Sequence, residues 1–396
     1  MVEFLDLGET ALANKFRSES ELREPEPRFP LKVGFCGTCD HVQLTETVPP
    51  SAMFDDYLYV SSASDTLTRH LHGLADTVVA RQDLSGDDLV IDIGANDGTL
   101  LAGFARHGVR TLGVDPAKNL AELASANGSE RYVGFFDSRS AREIVERWGQ
   151  ASAITATNTF PHIPGLHDFV RGIEIALAPD GVFVIEAHYL VDMLEQVAFD
   201  TIYHEHVSYW ALRPMRRLFE SHGLEIVDAE RLPIHHGQLR VTVARAGSRP
   251  VSPNVAAIAA AEDAAGLGTR EPLDAFADAT YGIKQDLHRL LADLRRDGKR
   301  VAGYGAPAKG NTLIGFLELG PETIEYIADR SRLKQGRYTP NVPIPVVEPE
   351  RLLANRPDYV LLLAWNFAEE ILEQQADYRQ AGGRFILPVP EVTIVE

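Results

Sequence analysis

The sequence predicts an α/β protein with two parallel-sheet domains and a small N-terminal domain. Two stretches, residues 76 to about 195 and 299–396, alternate apolar strand-like runs with helix-like segments. Each stretch has a Gly-rich turn directly after its first strand. A chain of 396 residues can also bury more than one core. We therefore expect two Rossmann-like units, at 76–240 and 241–396, after a small unit at 1–75.

Composition narrows the classes of partner. The chain is 45% hydrophobic and 24% charged, which is ordinary for a soluble globular protein. Its 38 basic and 57 acidic residues give a net charge of −19, which argues against non-specific nucleic-acid binding. We see neither an apolar run long enough for a membrane span nor a signal-peptide pattern. With only two cysteines, we expect a cytoplasmic protein without structural disulfides, either a monomer or a small homo-oligomer.

The N-terminal unit contains one cysteine pair with metal-ligand spacing. Cys36 and Cys39 match one half of a zinc knuckle, but a tetrahedral site needs a second pair and the chain has no other cysteine. His41 could add a third ligand, which is still too few for a closed structural site. A redox pair usually opens a helix, whereas this pair lies among Gly and strand-forming residues. The pattern predicts a zinc-knuckle-like domain whose structural zinc site is incomplete.

The second unit begins with a ligand-binding turn. The apolar run Leu89–Gly94 leads into Ala95–Gly98, and the next strand ends in Asp115, about 20 residues further on, where an acid suits ribose hydroxyls. The glycine spacing differs from that of dinucleotide sites and favours S-adenosylmethionine. The alternative is a tight turn followed by an ordinary polar strand end. The candidate residues for binding this cofactor are Asp92, Gly94, Asn96, Gly98 and Asp115.

The densest chemistry lies in the stretch from Tyr203 to Tyr209. His206 can take a proton near neutral pH, Glu205 can orient it, and Tyr203 can hold a developing oxyanion. Two other interpretations stay open. His204 and His206 would point the same way on a strand and could share a metal, or the stretch could be a polar surface loop.

Candidate polar residues also follow other predicted strands. Asn158 ends one strand and His162 follows it, at the sheet edge where α/β proteins bind ligands, although His162 could also be structural. The stretch Ile234–Arg240 carries a further His pair, with a turn into a strand as its plain interpretation. Residues 251–298 have helical spacing without evident chemistry.

The third unit combines a Gly-rich turn with basic residues. The turn Gly303–Thr312 includes Lys309 and can cradle phosphate, but it lacks the ending of a P-loop. A second strand, 324–329, is followed by a basic run. In so acidic a chain this run predicts an anionic ligand, with a solvated loop as the alternative. The run consists of Arg330, Arg332, Lys334 and Arg337.

Together these stretches resemble the sugar C-methyltransferases of deoxysugar biosynthesis, which methylate C-3′ of nucleotide-linked 4-keto sugars in antibiotic pathways. The resemblance covers nearly the whole chain. It implies a zinc domain, a methyl-donor domain and a C-terminal Rossmann-like domain that helps to bind the nucleotide sugar. The motifs that carry it are residues 55–61, 91–98, 158–163, 203–209, 233–240, 303–311 and 333–340.

The resemblance also implies site residues and a reaction. His206 is expected to remove the proton beside the sugar ketone, and the resulting carbanion to attack the methyl group of S-adenosylmethionine. The other implied catalytic residues are Glu205, Tyr203, Tyr57 and His162. We expect the nucleotide-diphospho-sugar to contact Asn158, His235, Arg240, Lys309, Asn311 and Arg337.

This chain departs from the family pattern at two places. The family's first cysteine pair is absent, so either the start of the chain is truncated relative to its relatives or the domain folds without metal. The usual Gly-Gly-Ser is replaced by His236-Gly237-Gln238, and we expect this departure to alter the sugar pocket. Two other functions remain open at this point. One is an O- or N-methyltransferase acting on a sugar hydroxyl or amine, and the other is a non-catalytic nucleotide-sugar binding protein.

Overall fold

The computed structural model describes residues 1–54, 60–120, 129–234 and 237–396. Within these ranges the strands, in chain order, are Val2–Thr10 (β1), Phe29–Phe35 (β2), Val42–Leu44 (β3), Leu89–Ile93 (β4), Arg110–Asp115 (β5), Glu130–Val133 (β6), Ala151–Thr157 (β7), Leu177–His188 (β8), Ser208–Tyr209 (β9), Leu224–Leu232 (β10), Gln238–Arg245 (β11), Val301–Tyr304 (β12), Ile327–Ala328 (β13), Val346–Val347 (β14), Tyr359–Leu362 (β15), Arg384–Leu387 (β16) and Thr393–Val395 (β17).

The α-helices within the same ranges are Ser51–Phe54, Asp65–Gln82, Thr99–Ala105, Ser138–Trp148, Leu166–Ala176, Leu190–Glu195, Leu212–Glu220, Pro253–Ala264, Glu271–Arg296, Ala308–Leu317, Arg351–Asn355, Ala368–Gln374 and Ala376–Gln380. No helix in the described ranges is both long and apolar enough to span a lipid bilayer.

The N-terminal sheet is antiparallel and has the order β1-β2-β3-β9. Its first two strands pair along Val2–Thr10 and Phe29–Phe35, and apolar residues such as Leu5 and Val33 are buried at one face. The fourth strand, β9, comes from the chemistry-bearing stretch much later in the chain, since Val42 pairs with Tyr209. The N-terminal sheet therefore includes the strand that directly follows His206.

The central sheet has the order β10-β11-β8-β7-β4-β5-β6. The strands from β8 to β6 are parallel, while β11 and β10 add an antiparallel edge. All five residues of Leu89–Ile93 are buried, as expected for a parallel strand covered on both faces. This strand lies between β5 and β7, where the strand order reverses, so the loop after it opens at the switch point of the sheet.

The C-terminal sheet has the order β14-β13-β12-β15-β16-β17 and is parallel except for β17. Its central strand β12 has the same position relative to its neighbours as β4 in the central sheet. The two parallel-sheet units and the small N-terminal sheet confirm the predicted fold class. The strand expected at 324–329 is shorter, because only Ile327–Ala328 forms ladder pairs.

Two helices connect the large sheets, in the region where the sequence predicted helices. Glu271–Arg296 buries a stripe at spacings of three and four residues that includes Phe276, Ile283 and Leu287. Its Tyr281 hydroxyl donates to the carbonyl oxygen of Asp6 in β1, at 2.9 Å. The long helix therefore touches the N-terminal sheet on its way to the C-terminal unit.

Candidate active site

The stretch that carries the two central histidines forms a turn. A short 3₁₀ helix, Phe199–Thr201, precedes it, and the backbone N–H of His206 donates to the carbonyl of Tyr203 at 2.8 Å. His204 makes its contact at the carbonyl oxygen of Pro30, with its Nε2 3.2 Å away, whereas His206 lies on the wall of a cavity. The interpretation that both imidazoles share a metal on one strand is therefore wrong. The described residues also contain no group of three or more His, Cys, Asp or Glu that could hold a metal ion.

The hydrogen bonds of His206 define its tautomer. Nδ1 lies 2.7 Å from the carbonyl oxygen of Thr201, and a carbonyl only accepts, so Nδ1 carries the proton. Nε2 lies 2.8 Å from the hydroxyl of Tyr203 and accepts from it. Burial lowers the pKa of His206 to about 4. The imidazole is therefore neutral near pH 7, with a lone pair on Nε2, as a general base requires.

Two further histidines lie close to His206. The ring centroids of His162 and His188 lie 5.0 and 5.1 Å from that of His206. Burial, followed by the neighbouring His206, lowers the pKa of His162 well below its ordinary value. His162 is held by its backbone N–H, which donates to Thr159 at 2.9 Å. His162 was predicted from its place beyond a strand, whereas His188, at the end of β8, was not.

Glu205 is buried and is contacted by residues far away in sequence. Its Oε1 accepts from Nδ2 of Asn14 at 2.7 Å, and its carboxylate attracts the ammonium of Lys334. Lys334 donates to the carbonyl of Ala306 at 2.8 Å, and burial lowers its pKa. The sequence indicated Lys334 as one member of the basic run predicted to bind an anionic ligand. Asn14 had no sequence signal, because its contact spans 191 residues.

The Gly-rich loop after β4 is shaped by positive φ angles at Gly94, Asn96 and Gly98. A Cβ atom on Gly94 would lie 2.0 Å from Oγ1 of Thr159, so only glycine fits there. The carboxylate of Asp115 at the end of β5 holds the loop, because its Oδ2 accepts from the backbone N–H of Asn96 at 2.8 Å. This loop leaves backbone groups and an acid at the cavity, which fits the adenosine part of S-adenosylmethionine.

Asp92 supports this loop from inside the sheet. Its Oδ1 accepts from the hydroxyl of Thr155 at 2.6 Å, and burial raises its pKa to about 7. Burial also raises the pKa of Asp115, while the nearby guanidinium of Arg131 favours the ionised form of both acids. Arg131 donates to the carbonyl of Asn96 at 3.1 Å. The predicted donor-site residues therefore lie together around one loop.

One cavity of about 630 Å³ joins this loop to the histidines. Its walls come from all three units of the chain, which places the Gly94 loop, His206 and two lysines around one space. The lining includes Asn14, Phe54, Asp92, Gly94, Asn96, Asp115, Asn158, His162, His188, Tyr203, His206, Pro307, Lys309, Lys334 and Asn366.

A cation from the C-terminal unit faces this cavity. Lys309 is the second residue of the helix Ala308–Leu317, and its Nζ lies 4.6 Å from the ring centroid of Trp365. The indole N–H of Trp365 donates to Oδ2 of Asp200 at 2.6 Å, and this fully buried carboxylate attracts Lys309. Burial lowers the pKa of Lys309 and raises that of Asp200. Sequence reasoning proposed Lys309 but missed Asp200.

The other predicted substrate residues have different surroundings. Asn158 lines the cavity and accepts from Nε2 of Gln238 at 2.6 Å. Asn311 is fully buried, and its Nδ2 donates to the carbonyl of Ala13 at 2.7 Å.

Two predicted basic residues lie away from the lining of this cavity. The guanidinium of Arg240 pairs with Glu186 at 2.6 Å and with Glu230 at 3.2 Å, and Arg337 is exposed. The predictions for Tyr57 and His235 fall outside the described residues.

The cysteine pair does not fit a closed zinc site. Cys36 and Cys39 flank a tight turn, in which the backbone N–H of Asp40 donates to the carbonyl of Cys36 at 2.8 Å and Asp40 has a φ of 60°. His41 is buried, with Nε2 3.3 Å from the hydroxyl of Ser208. Two thiolates supply half of the four ligands that structural zinc takes, and the described residues bring no further ligands to them.

Three family models match successive parts of the chain. A model described as "Putative zinc binding domain" matches residues 1–54. One described as "Methyltransferase domain" matches residues 67–229, which include the Gly94 loop and the His206 turn. A third, described as "C-methyltransferase C-terminal domain", matches residues 233–390.

Individual proteins agree with these matches. The C-methyltransferase NovU of Streptomyces niveus is 38% identical over 395 residues, covering 100% of this chain and 94% of NovU. A ubiquinone biosynthesis O-methyltransferase of Xanthomonas oryzae pv. oryzae (strain PXO99A) is 30% identical over 124 residues, covering 30% of this chain and 52% of that protein.

Among solved structures, the CcbJ methyltransferase from Streptomyces caelestis is 15% identical with a TM-score of 0.36, covering 45% of this chain and 90% of that one. The mitomycin 7-O-methyltransferase MmcR is 16% identical with a TM-score of 0.38, covering 47% and 56% of the two chains. The match to NovU extends over the whole chain. The chain therefore belongs to the C-methyltransferase family that its sequence motifs indicated, and it is an S-adenosylmethionine-dependent methyltransferase.

Proposed function

We propose that this enzyme methylates C-3′ of a nucleotide-linked 4-keto-deoxysugar, with a thymidine diphosphate carrier, through an enolate. The observation that carries the proposal is the neutral His206, whose Nε2 is unprotonated and lies beside the hydroxyl of Tyr203. A carbon next to a ketone is acidic because its conjugate base places charge on oxygen, so its deprotonation needs such a base and nearby donors. Methylation of a hydroxyl needs no enolate stabiliser.

The proposed reaction begins when the bound sugar takes the place of Tyr203 at Nε2 of His206. Nε2 then removes the proton from C-3′, the C–H electron pair forms the enolate, and Tyr203 and His162 donate hydrogen bonds to its oxygen. S-adenosylmethionine supplies the methyl group, which the sugar carbon takes as the bond from that methyl to sulfur breaks. The proton remains on His206 until it passes to solvent. Tyr57, which the family resemblance implies as a further catalytic residue, lies outside the described residues, and its role stays a prediction.

The electrostatics of the cavity support this order of events. Burial disfavours the protonated imidazole, so His206 starts out neutral. The negative charge that develops on the sugar during proton removal favours the imidazolium, because the two charges form beside each other. Lys309 and Lys334, which line the same cavity, would add positive charge for the enolate and for the substrate's phosphates.

A second cavity, of about 620 Å³, lies at the strand ends of the C-terminal sheet and supports binding of the nucleotide part. Its lining includes Tyr304, Arg330, Arg332, Gln335, Gln374 and Gln375, together with the carboxylates of Glu348 and Glu350. Arginine side chains recognise phosphate well because the planar guanidinium can donate two parallel hydrogen bonds. We propose that the diphosphate lies between these arginines and Lys309, which leaves the sugar beside His206.

The test is an incubation in deuterated water with a thymidine-diphospho-4-keto-6-deoxysugar, with and without S-adenosylmethionine. We expect a new methyl group on C-3′ when donor is present, and deuterium at C-3′ when donor is absent, followed by NMR and mass spectrometry. A methyl group on oxygen or nitrogen would instead assign the enzyme to O- or N-methylation. Binding of both ligands without turnover, across a panel of such sugars, would contradict the proposed reaction.

A further inference from the structure

The segment 11–17, which we term the N-terminal strap, crosses from the N-terminal sheet to the cavity. Residues of the C-terminal unit hold both of its ends. Oδ1 of Asn341 accepts from the backbone N–H of Ala11 at 2.6 Å. At the other end, Arg17 and Tyr338 exchange two backbone hydrogen bonds, of 3.0 and 2.8 Å.

The middle of the strap is fixed as well. Nδ2 of Asn311 donates to the carbonyl of Ala13 at 2.7 Å, and the side chain of Phe16 is buried with the Lys334 ammonium 5.3 Å from its ring centroid. Asn14 lies between these two anchors. Its position is therefore set by the surrounding fold, and little freedom remains to be lost when its amide makes a contact.

At this fixed point the amide of Asn14 donates to Oε1 of Glu205 at 2.7 Å, and both Asn14 and the neighbouring His206 line the methyl-donor cavity. A buried carboxylate needs donors to stay ionised, and a donor with a fixed position also fixes the carboxylate. The ammonium of Lys334 also attracts the carboxylate of Glu205. Asn14 and Lys334 together orient the carboxylate of Glu205, which directly precedes His206 in the chain.

We infer that Asn14 is a positioning residue for methyl transfer, and that the N-terminal strap is therefore part of the active site. Asn14 acts through Glu205, because its amide donates to Oε1 and so fixes the orientation of the carboxylate beside the His206 turn. The inference rests on the proposed function and on the catalytic role that the family resemblance implies for Glu205. It also gives the N-terminal unit a task in the reaction that does not depend on bound metal.

The first test compares Asn14→Ala and Asn14→Asp with the parent enzyme. Loss of a hydrogen bond to a charged group corresponds to a change of about 10- to 100-fold in a rate constant. The kcat for methyl transfer should therefore fall by about that factor in Asn14→Ala. Asn14→Asp keeps the shape but places a second carboxylate against Glu205, so its kcat should fall further. The Kd for S-adenosylmethionine should change less than about twofold in both variants. An Asn14→Ala enzyme with unchanged kcat would overturn the inference.

A double-mutant cycle with Glu205→Gln separates positioning from a general structural effect. If Asn14 acts through Glu205, adding Asn14→Ala to Glu205→Gln should reduce the residual kcat by less than about threefold. A reduction equal to that in the parent background would overturn the inference and leave the proposed function standing. A fully active Glu205→Gln enzyme would overturn both the inference and the role of Glu205.

Asn254→Ala is the matched control. Asn254 lies on the helix Pro253–Ala264, where its Nδ2 donates to Oδ1 of Asp228 at 3.1 Å in an exposed setting. The variant thus loses the same kind of hydrogen bond away from the cavity. Its kcat should equal that of the parent enzyme, and its melting temperature should match that of Asn14→Ala within a few degrees.

Discussion

The central and C-terminal sheets contain the same backbone arrangement around their first loops. In each sheet a glycine with positive φ follows the middle strand, Gly94 after β4 and Gly305 after β12, and its N–H donates across to the neighbouring strand at 2.8 Å. That neighbouring strand leads to an aspartate in each case. Asp115 accepts from Asn96 and Ala117, and Asp329 accepts from Ala306 and Ser331, all through backbone N–H groups.

The two loops differ in charge. The loop after β4 carries Asp97, and the loop after β12 is followed by Lys309. Beyond the aspartates, the C-terminal unit has Arg330 and Arg332, whereas the central unit has Pro116 and Lys118 at the equivalent positions, so it carries one basic residue there instead of two. Under the proposed function, one backbone arrangement serves two ligands. A cationic sulfonium donor suits the acidic loop, and a diphosphate suits the basic one.

The largest expected effect on kcat concerns His206, the proposed base. His206→Ala should lower kcat by about 10³-fold, because nothing else in the turn offers an unprotonated imidazole nitrogen at that place, while the Kd for S-adenosylmethionine stays unchanged. His167→Ala is the control, since His167 also contacts another imidazole, that of His222, on the surface. Methyl transfer by His206→Ala at more than a tenth of the parent rate would contradict the assignment.

Matched substitutions at the two aspartates test the comparison directly. Each carboxylate oxygen has a second lone pair free to accept from a ribose hydroxyl, and Asn replaces one acceptor by a donor. Asp115→Asn should raise the Kd for S-adenosylmethionine about 10- to 100-fold, and Asp329→Asn should do the same for the nucleotide.

Each variant should leave the other ligand's Kd within about threefold of the parent value, as measured by calorimetry. A loss of both ligands in either variant would mean that the two loops are one coupled site. Such a result would contradict the proposal that the central unit binds S-adenosylmethionine and the C-terminal unit binds the nucleotide.

A smaller effect concerns Asp92, which has no counterpart in the C-terminal arrangement, where Gly303 precedes Gly305 at the same spacing. Burial raises the pKa of Asp92 from 3.8 to about 7. Between these values the unfolded chain has released this proton and the folded chain still holds it. The free energy of unfolding should therefore fall by up to about 1.4 kcal/mol per pH unit through this group.

Asp92→Asn removes this contribution. Relative to the parent protein, its free energy of unfolding should rise between pH 4 and pH 7 and then level off, in denaturant titrations without methyl donor. A difference that is independent of pH would show that Asp92 is ionised throughout in the folded protein.

The smallest expected effect belongs to the N-terminal sheet. Because Cys36 and Cys39 form only half of a zinc site among the described residues, treatment with a chelator should shift the melting temperature by less than about 1 °C. The melting temperature of Cys36→Ser should likewise lie within about 1 °C of that of the parent protein. A large shift after chelation, together with one zinc per chain by metal analysis, would contradict this expectation.

Local sequence patterns were sufficient to predict the strand, Gly-rich turn and acidic residue of each parallel-sheet unit. They were not sufficient to predict the contacts between the units. The run Leu89–Gly98 and the acid at Asp115 were predictable because strand, turn and acid lie close in sequence and obey fixed spacing. Lys334 was visible only as one member of a basic run. Lys334 lies near Phe16 and Glu205, whereas Arg337 of the same run is exposed. This difference follows from packing between the units, which the sequence of the run does not show.

Asn14 and Asp200 show the same limit more strongly. Asn14 meets Glu205 across 191 residues, and Asp200 meets Trp365 across 165. No spacing rule applies to pairs so far apart, since their approach depends on how three units dock. The turn at Thr201–Val207 was misjudged in one alternative for a related reason, because a short polar stretch fits strand and turn equally well.

The pairing of β3 with β9 has a consequence for how the chain is made. His41 Nε2 and the hydroxyl of Ser208 lie 3.3 Å apart although 167 residues separate them, so the edge of β3 stays unpaired until the chain has been synthesised through Ser208–Tyr209. During translation that exposed edge is open to wrong partners. Anyone who exchanges the N-terminal sheet between relatives must therefore move Ser208–Tyr209 with it, because a graft that ends before the donor unit transplants an unfinished sheet.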